Sequence, residues 1–464
     1  MIARADIVER VRQWSLPENV VEKDYILGWL LWGIASDATL GEPWVFKGGT
    51  CLKKCYVETY RFSEDLDFTV LPGGPYKPED VEPLLRRVLT RVGDASGVDF
   101  NAQAPALRLR PDGLSTEGRV YYRGPLGAPM ARVKLDISAN ETVVRPPVLR
   151  EIAHPYPDGA LDASVRCYAF DELFAEKLRA MRQRCRPRDL YDVVNLFWRN
   201  DLRLYPDAIR SALEEKCKAK NVPVPVAADF IGTPAIDELA SEWENMLGHQ
   251  LPALPPLQLF LDALPDLFAW LDGNLVTAEL PPIAYSADED DAWSPPPTVA
   301  VWGQVPLEPV RFAAANHLLV SLAYGGEQRL IEPYSLRRSR AGALLLHAER
   351  ADNDGHRTYR VDRIEGVRVT TRPFRPRHPI EFSARGPLHA PLQTRGPSGY
   401  ARPPRGNTRS PSRRHSGRTY TYQCLQCGRE FDHSHPNATL RAHKDPYGYP
   451  CRGRRGTLVD QSWY

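Results

Sequence analysis

Hydrophobic residues recur every three or four positions over the first 35 residues, which predicts two helices, at residues 5–14 and 17–35. The pattern then changes. Residues 43–70 predict a short apolar strand, a glycine turn, a helix and a second strand in which apolar and polar residues alternate. Alternation returns at residues 131–138, after another helical pattern at residues 78–92. This mixture of strands and helices predicts an α+β domain.

The second half of the chain is more segmented. Helical spacing marks residues 170–183 and 187–200 as a helix pair, and short alternating segments later predict a small β module. We divide the chain into a mixed domain with a helical C-terminal part (1–280), an acidic proline-rich linker (281–300), a β module (301–384), a basic flexible linker (385–418) and a small C-terminal module (419–464).

Charge is distributed unevenly along the chain. The net charge is only +2, but residues 385–464 carry 14 Lys or Arg against four Asp or Glu. A basic tail on an acidic body indicates a contact with nucleic acid or, alternatively, a solvated disordered arm. No apolar run has the length of a membrane span, and the charged N-terminus is unlike a secretory signal. We therefore expect a cytoplasmic protein without a membrane partner.

The first candidate chemistry lies between residues 48 and 67. Gly48, Gly49 and Thr50 form a turn that begins a helix, whose free N–H groups favour a phosphate. Asp65 and Asp67 alternate with apolar residues, so both carboxylates lie on one face of their strand. A phosphate turn that faces two carboxylates is what one or two Mg²⁺ ions and a nucleoside triphosphate require. This pattern predicts metal-dependent nucleotidyl transfer.

Other charged residues have two interpretations. Asp136, on the polar side of residues 131–138, is a third carboxylate of the same site or an ordinary solvated residue. Glu22, Lys23 and Asp24, taken alone, are interpreted as a solvated helix face, with a functional site as the alternative. Arginines around the turn of the helix pair predict either a basic rim for phosphate or surface ion pairs worth about 0.2–0.5 kcal/mol each. These arginines are Arg182, Arg184, Arg186 and Arg188.

The string FKGGTCLKKCYVETYRFSEDLDFTV resembles the AbiEii/AbiGii toxin family, within the nucleotidyltransferase superfamily. Its motifs also match VKLDIS, the helix pair DELFAEKL and RPRDLYDV, and the early VVEKDY. The resemblance covers about residues 1–275. The matching residues, in chain order, are Glu22, Lys23, Asp24, Gly48, Gly49, Thr50, Arg61, Ser63, Asp65, Asp67, Lys134, Asp136, Glu172, Glu176, Lys177, Arg186, Arg188, Asp189 and Asp192.

The resemblance implies a nucleotidyltransferase fold, a mixed sheet flanked by helices, and assigns roles to individual residues. Asp65 and Asp67 would hold Mg²⁺, with Asp136 beside them. Gly48, Gly49, Thr50, Arg61 and Ser63 would bind the nucleotide, Lys177 the triphosphate, and Arg186 and Arg188 the phosphates of the acceptor. Asp189 would act as a base or as an organiser of Lys177.

Members of the resembled family are toxins of bacterial toxin–antitoxin and phage-defence systems, and some add nucleotides to the 3′ end of tRNA. The resemblance therefore implies an NTP substrate, an RNA acceptor, with the tRNA 3′ end as our expectation, and a cognate antitoxin. Two alternatives remain open. In the first, the chain is a nucleic-acid-binding regulator that only senses nucleotide. In the second, it is a transferase that modifies a protein.

The segment that begins EPVRFAAANHLL resembles a WYL-type ligand-sensing domain, a small Sm/SH3-like barrel. The matching residues are Tyr324, Arg329, Glu332, Pro333, Tyr334, Leu336, Arg357, Arg360, Arg363 and Ile364. Leu344, Leu345 and Leu346 replace the Trp-Tyr-Leu tripeptide that names the domain. The resemblance implies a nucleotide or nucleic-acid ligand, whereas the alternative is an ordinary β-barrel surface.

The C-terminal module has the ligand spacing of a zinc site. Zn²⁺ prefers four sulfur or nitrogen ligands, and a module this small folds when the metal supplies its core. The predicted ligands of this structural CCHC zinc finger are Cys424, Cys427, His443 and Cys451, with His433 and His435 as competing third ligands. Surrounding basic residues favour a nucleic-acid partner. They are Arg429, Arg441, Lys444, Arg452, Arg454 and Arg455.

The remaining cysteines show no metal-type spacing and no disulfide framework. They are Cys51, Cys55, Cys167, Cys185 and Cys217. Cys51 and Cys55 share a helical face, and we interpret them as small buried apolar residues.

Overall fold

The computed structural model forms two compact units, Met1–Ala390 and Pro391–Tyr464. In the first unit it describes residues 2–57, 61–127, 129–158, 163–199, 205–230, 232–275, 280–293, 307–353 and 355–382. In the second it describes residues 418–424, 426, 429–433, 437–444, 450–451 and 453–463. None of the helices within these residues is both long and apolar enough to cross a bilayer.

The first unit begins with the predicted combination of helices and strands. Its helices are α1 (Arg4–Trp14), α2 (Glu18–Ala35), α3 (Gly48–Cys51), α4 (Pro78–Ser96), α5 (Phe170–Arg184), α6 (Pro187–Trp198), α7 (Pro206–Ala219), α8 (Pro234–Leu247), α9 (Leu257–Leu261) and α10 (Leu264–Leu271). Its first strands are β1 (Trp44–Lys47), β2 (Asp65–Val70), β3 (Ala106–Leu109), β4 (Ser115–Tyr122), β5 (Ala131–Ser138), β6 (Val148–Glu151) and β7 (Ser164–Cys167). A π-helical turn, Leu52–Tyr56, continues α3.

These seven strands form one mixed sheet in the order β3-β4-β5-β2-β1-β7-β6. The pairs β2–β5 and β1–β7 are parallel, and the other neighbours are antiparallel. Helix α2 is apolar over most of its length and packs on β2, β7 and α4. Helix α5 packs against α6 and α7, which extends the domain away from the sheet. The α+β prediction is confirmed, and the sheet places β1, β2 and β5 side by side.

The predicted β module follows in the same unit. Helix α11 (Glu308–Ala315) precedes the strands β8 (Leu318–Tyr324), β9 (Glu327–Arg338), β10 (Leu344–Arg350), β11 (His356–Arg360) and β12 (Ile364–Pro373). They form a five-stranded antiparallel sheet in the order β11-β10-β9-β8-β12.

Part of the segment that we expect to be a linker packs on this module. The Arg337 guanidinium pairs with Glu289 at 3.2 Å and donates to the carbonyl oxygens of Ile283 and Ala284. Residues 283–289 are therefore held by β9, whereas residues 294–300 of the expected linker lie outside the described residues.

The β module also contacts the helix that carries the predicted site residues Asp189 and Asp192. The Tyr191 hydroxyl on α6 donates a 2.7 Å hydrogen bond to Asn316 Oδ1, directly after α11. Both side chains are buried. Further along α6, the Trp198 ring lies 4.3 Å from the His317 ring. The β module is thus hydrogen-bonded to α6 within the interior of the first unit.

The second unit is built from short strands. These are β13 (Arg418–Cys424), β14 (Glu430–His433), β15 (His443–Lys444), β16 (Pro450–Cys451) and β17 (Gly456–Trp463). They form a three-stranded sheet, β14-β13-β17, and a β15–β16 pair. Its described residues include no helix. The described buried core contains Tyr422, Cys424, Leu440 and Cys451.

Replacing Tyr191 tests the contact between α6 and the β module. Tyr191→Phe leaves the buried Asn316 Oδ1 without its donor, so we expect a loss of roughly 1–3 kcal/mol in the free energy of unfolding. Urea denaturation measures it, with Tyr205→Phe, at an exposed tyrosine, as the matched control. Equal stability of the two variants would contradict a stabilising role for this bond.

Candidate active site

The register of three neighbouring strands brings the predicted carboxylates together. In the parallel β2–β5 pair, Asp65 lies opposite Lys134 and Asp67 opposite Asp136. In the antiparallel β1–β2 pair, Lys47 lies opposite Asp67. Residues paired across adjacent strands point to the same side of a sheet. One face therefore carries three carboxylates and two lysines at neighbouring positions, and Asp136 belongs to the same cluster as Asp65 and Asp67.

Burial has the largest effect on the electrostatics of this face. Burial, together with the nearby charges of Asp65 and Asp136, raises the pKa of Asp67 to about 6, although Lys47 opposes the shift. Burial also raises the pKa of Asp65. Asp136 accepts a 2.5 Å hydrogen bond from Arg110. Grouped carboxylates are a donor set that suits a hard divalent cation, because oxygen ligands are what Mg²⁺ prefers.

The glycine turn packs directly against the carboxylate strand. Gly48 has φ +80°, and a Cβ atom there would lie 2.2 Å from Asp67 Oδ2. A Cβ atom on Gly49 would lie 2.8 Å from Arg61 Nη2 and 3.3 Å from Ser63 Oγ. The Thr50 hydroxyl donates to the backbone carbonyl of Asp65 at 2.5 Å. A side chain at Gly48 would therefore collide with Asp67 on the strand, and Thr50 fixes the approach of the turn to the strand.

A second cluster is centred on the Asp192 carboxylate, which is completely buried. Arg61 donates to it twice, from Nε at 2.7 Å and from Nη2 at 3.0 Å. Lys177 Nζ lies 2.6 Å from Oδ2, the oxygen that also accepts from Arg61 Nη2. Burial alone would raise the pKa of Asp192, but Arg61 and Lys177 outweigh it and lower the pKa to about 2. Asp192 therefore holds Lys177 in place as a charged partner.

Arg61 and Asp189 are engaged within the protein. Arg61 is only 3% exposed and also donates to Gln250 Oε1 at 3.0 Å. Asp189 is fully buried, accepts from Arg184 at 2.7 and 2.8 Å, and lies 3.9 Å from Lys177 Nζ. These bonds make both residues part of the framework behind Lys177.

The four arginines of the predicted rim divide into two kinds. Arg182 pairs with Asp229 at 3.2 Å, and Arg184 pairs with Asp189. Within the residues that the structure describes, neither Arg186 nor Arg188 lies within ion-pair distance of a carboxylate. Arg186 is exposed, and Arg188 is half-buried, where burial and the neighbouring Arg61 lower its pKa. The charge of Arg188 also acts on Asp65.

Sequence reasoning missed Lys47 and Glu141. Lys47 Nζ forms an ion pair with Glu141, which also accepts from the Thr69 hydroxyl at 3.2 Å. Burial opposes the charge on Lys47, but Glu141 outweighs it and raises the lysine's pKa. The position of Lys47, at the end of an apolar strand and directly before the glycine turn, could have identified it as a candidate site residue from the sequence. Glu141 lies in a loop without any pattern.

The interpretation of Glu22 and Asp24 as part of a solvated face was wrong, because both are buried. Asp24 pairs with Lys54 at 2.8 Å, with both side chains 2% exposed, and accepts from the Tyr156 hydroxyl at 2.9 Å. Glu22 accepts from the backbone N–H of Leu126 at 2.7 Å. These carboxylates tie α2 to the segments around it.

Three other residues of the resembled motifs also take part in internal bonds. Lys23 pairs with Glu64 at 3.4 Å. Glu172 accepts from two backbone N–H groups and from Lys216, and Glu176 pairs with Arg179 at 2.5 Å.

The second unit gathers part of the predicted zinc site. Ligand atoms of Cys424, His443 and Cys451 lie within 4.8 Å of one another. The Cys424 and Cys451 sulfurs are 3.8 Å apart, close to the ~3.8 Å that two 2.3 Å Zn–S bonds enclose at a tetrahedral angle. The Gly453 N–H donates to Cys451 Sγ at 3.2 Å. Cys427 and His435 lie outside the described residues.

A mixed sheet with grouped carboxylates beside a glycine turn is the arrangement of a nucleotidyltransferase. A family model described as "Nucleotidyl transferase AbiEii toxin, Type IV TA system" matches residues 29–272, and the chain belongs to this family. A model of the WYL domain matches residues 307–369. The protein is therefore a nucleotidyltransferase toxin that also carries a WYL domain, as its motifs indicated.

Solved structures with a similar fold come from two bacteria. The nucleotidyltransferase toxin MenT4 from Mycobacterium tuberculosis is 20% identical, with a TM-score of 0.40, over 60% of this chain and 91% of MenT4. JHP933 from Helicobacter pylori is 18% identical, with a TM-score of 0.38, over 56% of this chain and 94% of JHP933. No curated protein matches the chain at a significant level.

Gly48→Ala tests the contact between the turn and the carboxylates. We expect it to lower stability by more than Gly113→Ala and to reduce nucleotidyl transfer, because the added methyl group meets Asp67. Gly113 is the matched control, since it has φ +69° and a methyl group added there would meet no heavy atom within 4 Å. Urea denaturation and a transfer assay measure the two effects. Equal losses in both variants would mean that only the backbone angle matters.

Asp192→Asn tests the buried ion network. The change leaves Arg61 and Lys177 without their shared carboxylate, so we expect a loss of roughly 3–5 kcal/mol at pH 7. The folded-state pKa lies below the unfolded one, so the charged form contributes stability above about pH 4, and this contribution declines as the pH falls towards 2. The difference between wild type and variant in urea unfolding should therefore shrink below pH 4.

The exposed Asp266→Asn on α10 serves as the control for this series. A difference between Asp192→Asn and wild type that is small at pH 7, or that grows as the pH falls, would contradict the network.

Proposed function

We propose that this protein is a metal-dependent nucleotidyltransferase toxin that transfers nucleotide from an NTP to the 3′ end of an RNA, with tRNA as the acceptor. The observation that carries the proposal is the alignment of Asp65, Asp67 and Asp136 on one sheet face beside the Asp192–Lys177 pair. The family describes a type IV toxin–antitoxin system, which supports a cognate antitoxin as a partner.

The carboxylate face fits Mg²⁺. Asp65 and Asp67 would hold one or two ions, with Asp136 beside them, and a cation there would favour the ionised form of Asp67, whose pKa burial raises. When bound, Mg²⁺ bridges the triphosphate and neutralises the charge that develops during transfer.

The residues around this face have complementary tasks. Gly48 and Gly49 carry no side chains that would block a phosphate from approaching Asp67, and Ser63 lies beside Gly49. Lys177, held by Asp192, supplies a fixed positive charge for the triphosphate. Asp189 organises rather than accepts a proton, because both of its oxygens are bonded to Arg184 in the interior.

The acceptor is proposed from the two arginines that have no carboxylate partner among the described residues. Arg186 and Arg188 begin α6 near the carboxylate face, and arginine contacts to phosphate position RNA without reading its sequence. The basic second unit adds a further contact. We propose that Cys424, His443 and Cys451, with Cys427, bind a structural Zn²⁺ there. The distance between the Cys424 and Cys451 sulfurs and the hydrogen bond from the Gly453 N–H to Cys451 Sγ suit a metal thiolate.

The WYL domain supplies a second proposed ligand site. The Arg329 guanidinium lies 5.5 Å from the centre of the Tyr324 ring, which meets the Tyr359 ring edge-on at 5.2 Å. Aromatic faces beside an arginine suit a base and its phosphate, so a nucleotide or nucleic acid is the proposed ligand.

Asp65→Ala and Asp67→Ala test the reaction. The protein is incubated with each labelled NTP, Mg²⁺ and total RNA, and the label is followed into tRNA and protein bands. We expect wild type to label tRNA and both variants to lose on the order of 100-fold or more in rate, because the cation site is removed. Asp266→Ala, at an exposed carboxylate, should retain activity.

Two controls complete this assay. Periodate-oxidised tRNA has no 3′ hydroxyl to attack and should take up no label, and circular dichroism should show that the variants remain folded. Label in a protein band would support a protein-modifying transferase, label in neither would support a nucleotide sensor, and full activity of either variant would overturn the site.

A further inference from the structure

Three cysteines from distant parts of the sequence meet beside the glycine turn. Cys51 follows Thr50 directly, Cys55 lies four residues later, and Cys167 ends β7, where it pairs with Phe46 of β1. Their sulfur atoms all lie within 4.8 Å of one another. Each residue is at most 1% exposed. The sequence separates Cys167 from the other two by more than a hundred residues, so spacing gave no sign of this cluster.

The local helix geometry creates the cluster. Leu52–Tyr56 is a π-helical turn, closed by a 2.7 Å bond from the Val57 N–H to the Leu52 carbonyl oxygen five residues earlier. Such wide turns inside helices are rare and occur frequently at functional sites. Here the turn presents both Cys51 and Cys55 to the end of β7.

A cation lies beside the three thiols. The Arg150 guanidinium is centred 4.5 Å from the Tyr56 ring, and its buried Nε has no hydrogen-bond partner among the described residues. The Cys167 sulfur lies 3.5 Å from the hydroxyl of the same tyrosine. Arg150 therefore places a positive charge close to the cluster.

We propose that Cys51, Cys55 and Cys167 bind one soft metal ion, Zn²⁺ or Cu⁺, through three thiolates. Thiolate ligands select these ions over Mg²⁺, so the site is chemically distinct from the carboxylate face. Binding releases the thiol protons to solvent. Three thiolates leave a net charge of −1 with Zn²⁺ and −2 with Cu⁺, and Arg150 offsets one negative charge in either case.

The metal would join two elements on either side of the glycine turn. Cys51 and Cys55 belong to the helix that the turn begins, and Cys167 belongs to the strand next to β1. Binding would tie the turn to the sheet and stabilise the folded state, because an ion that binds only the native protein shifts the folding equilibrium. This site does not depend on the proposed acceptor or on transfer activity.

Metal retention by the full-length chain tests the site. The double variant Cys424→Ser/Cys451→Ser removes the cluster of the second unit and serves as the parent. The difference in zinc content between wild type and this parent gives the amount of zinc that the second-unit cluster binds. The reduced parent is loaded anaerobically with Zn²⁺ alone or Cu⁺ alone and then desalted. We expect about one ion per chain by elemental analysis in at least one arm, and an unfolding temperature several degrees above that of the metal-free protein.

Cys167→Ser and Cys55→Ser are then added separately to the parent, with Cys217→Ser as the control at another buried cysteine. We expect the first two to lose the ion and the thermal shift, and Cys217→Ser to keep both. Circular dichroism of the metal-free variants reports folding, and Cys55→Ser decides the result if Cys167→Ser is unfolded. No retained ion in the parent, or equal retention in Cys55→Ser, overturns the proposal.

Discussion

The buried carboxylate of Asp192 holds together three segments of the transferase domain. It joins Arg61, just before the carboxylate strand, to Lys177 on α5, and itself belongs to α6. Because charges of this kind are costly to bury without partners, each of the three residues restricts the positions of the other two. The consequence is a lysine whose position is set by the fold rather than by a ligand.

The WYL domain extends this arrangement beyond the transferase domain. Tyr191 lies next to Asp192 on α6 and bonds to Asn316 at the start of the β module. Helix α6 therefore carries both the carboxylate partner of Lys177 and a contact to the WYL domain. The two domains therefore share one interior element.

The sequence predicted the parts of the fold that depend on local patterns. The alternation in β2 and β5 placed Asp65, Asp67 and Asp136 on polar faces, and the ordered motifs indicated the family. It could not show that Arg61 and Asp189 are bonded within the protein. Arg61 bonds to Gln250 and Asp189 bonds to Arg184, and the fold rather than a local pattern brings these residues together. The same limit hid the pairing of Lys47 with Glu141, and made Glu22 and Asp24 resemble a solvated helix face.

The sheet order also has a consequence for how the chain becomes active during synthesis. Strand β1 pairs in parallel with β7, which is about 120 residues later, and β2 pairs in parallel with β5 across α4. Such distant pairings form slowly and only after all of their members exist. At ribosomal rates of about 5–20 residues per second, Asp192 follows Gly48 by roughly 7–29 s. A nascent chain therefore carries the glycine turn well before it has a fixed lysine, and the toxin is assembled only when α6 has been made.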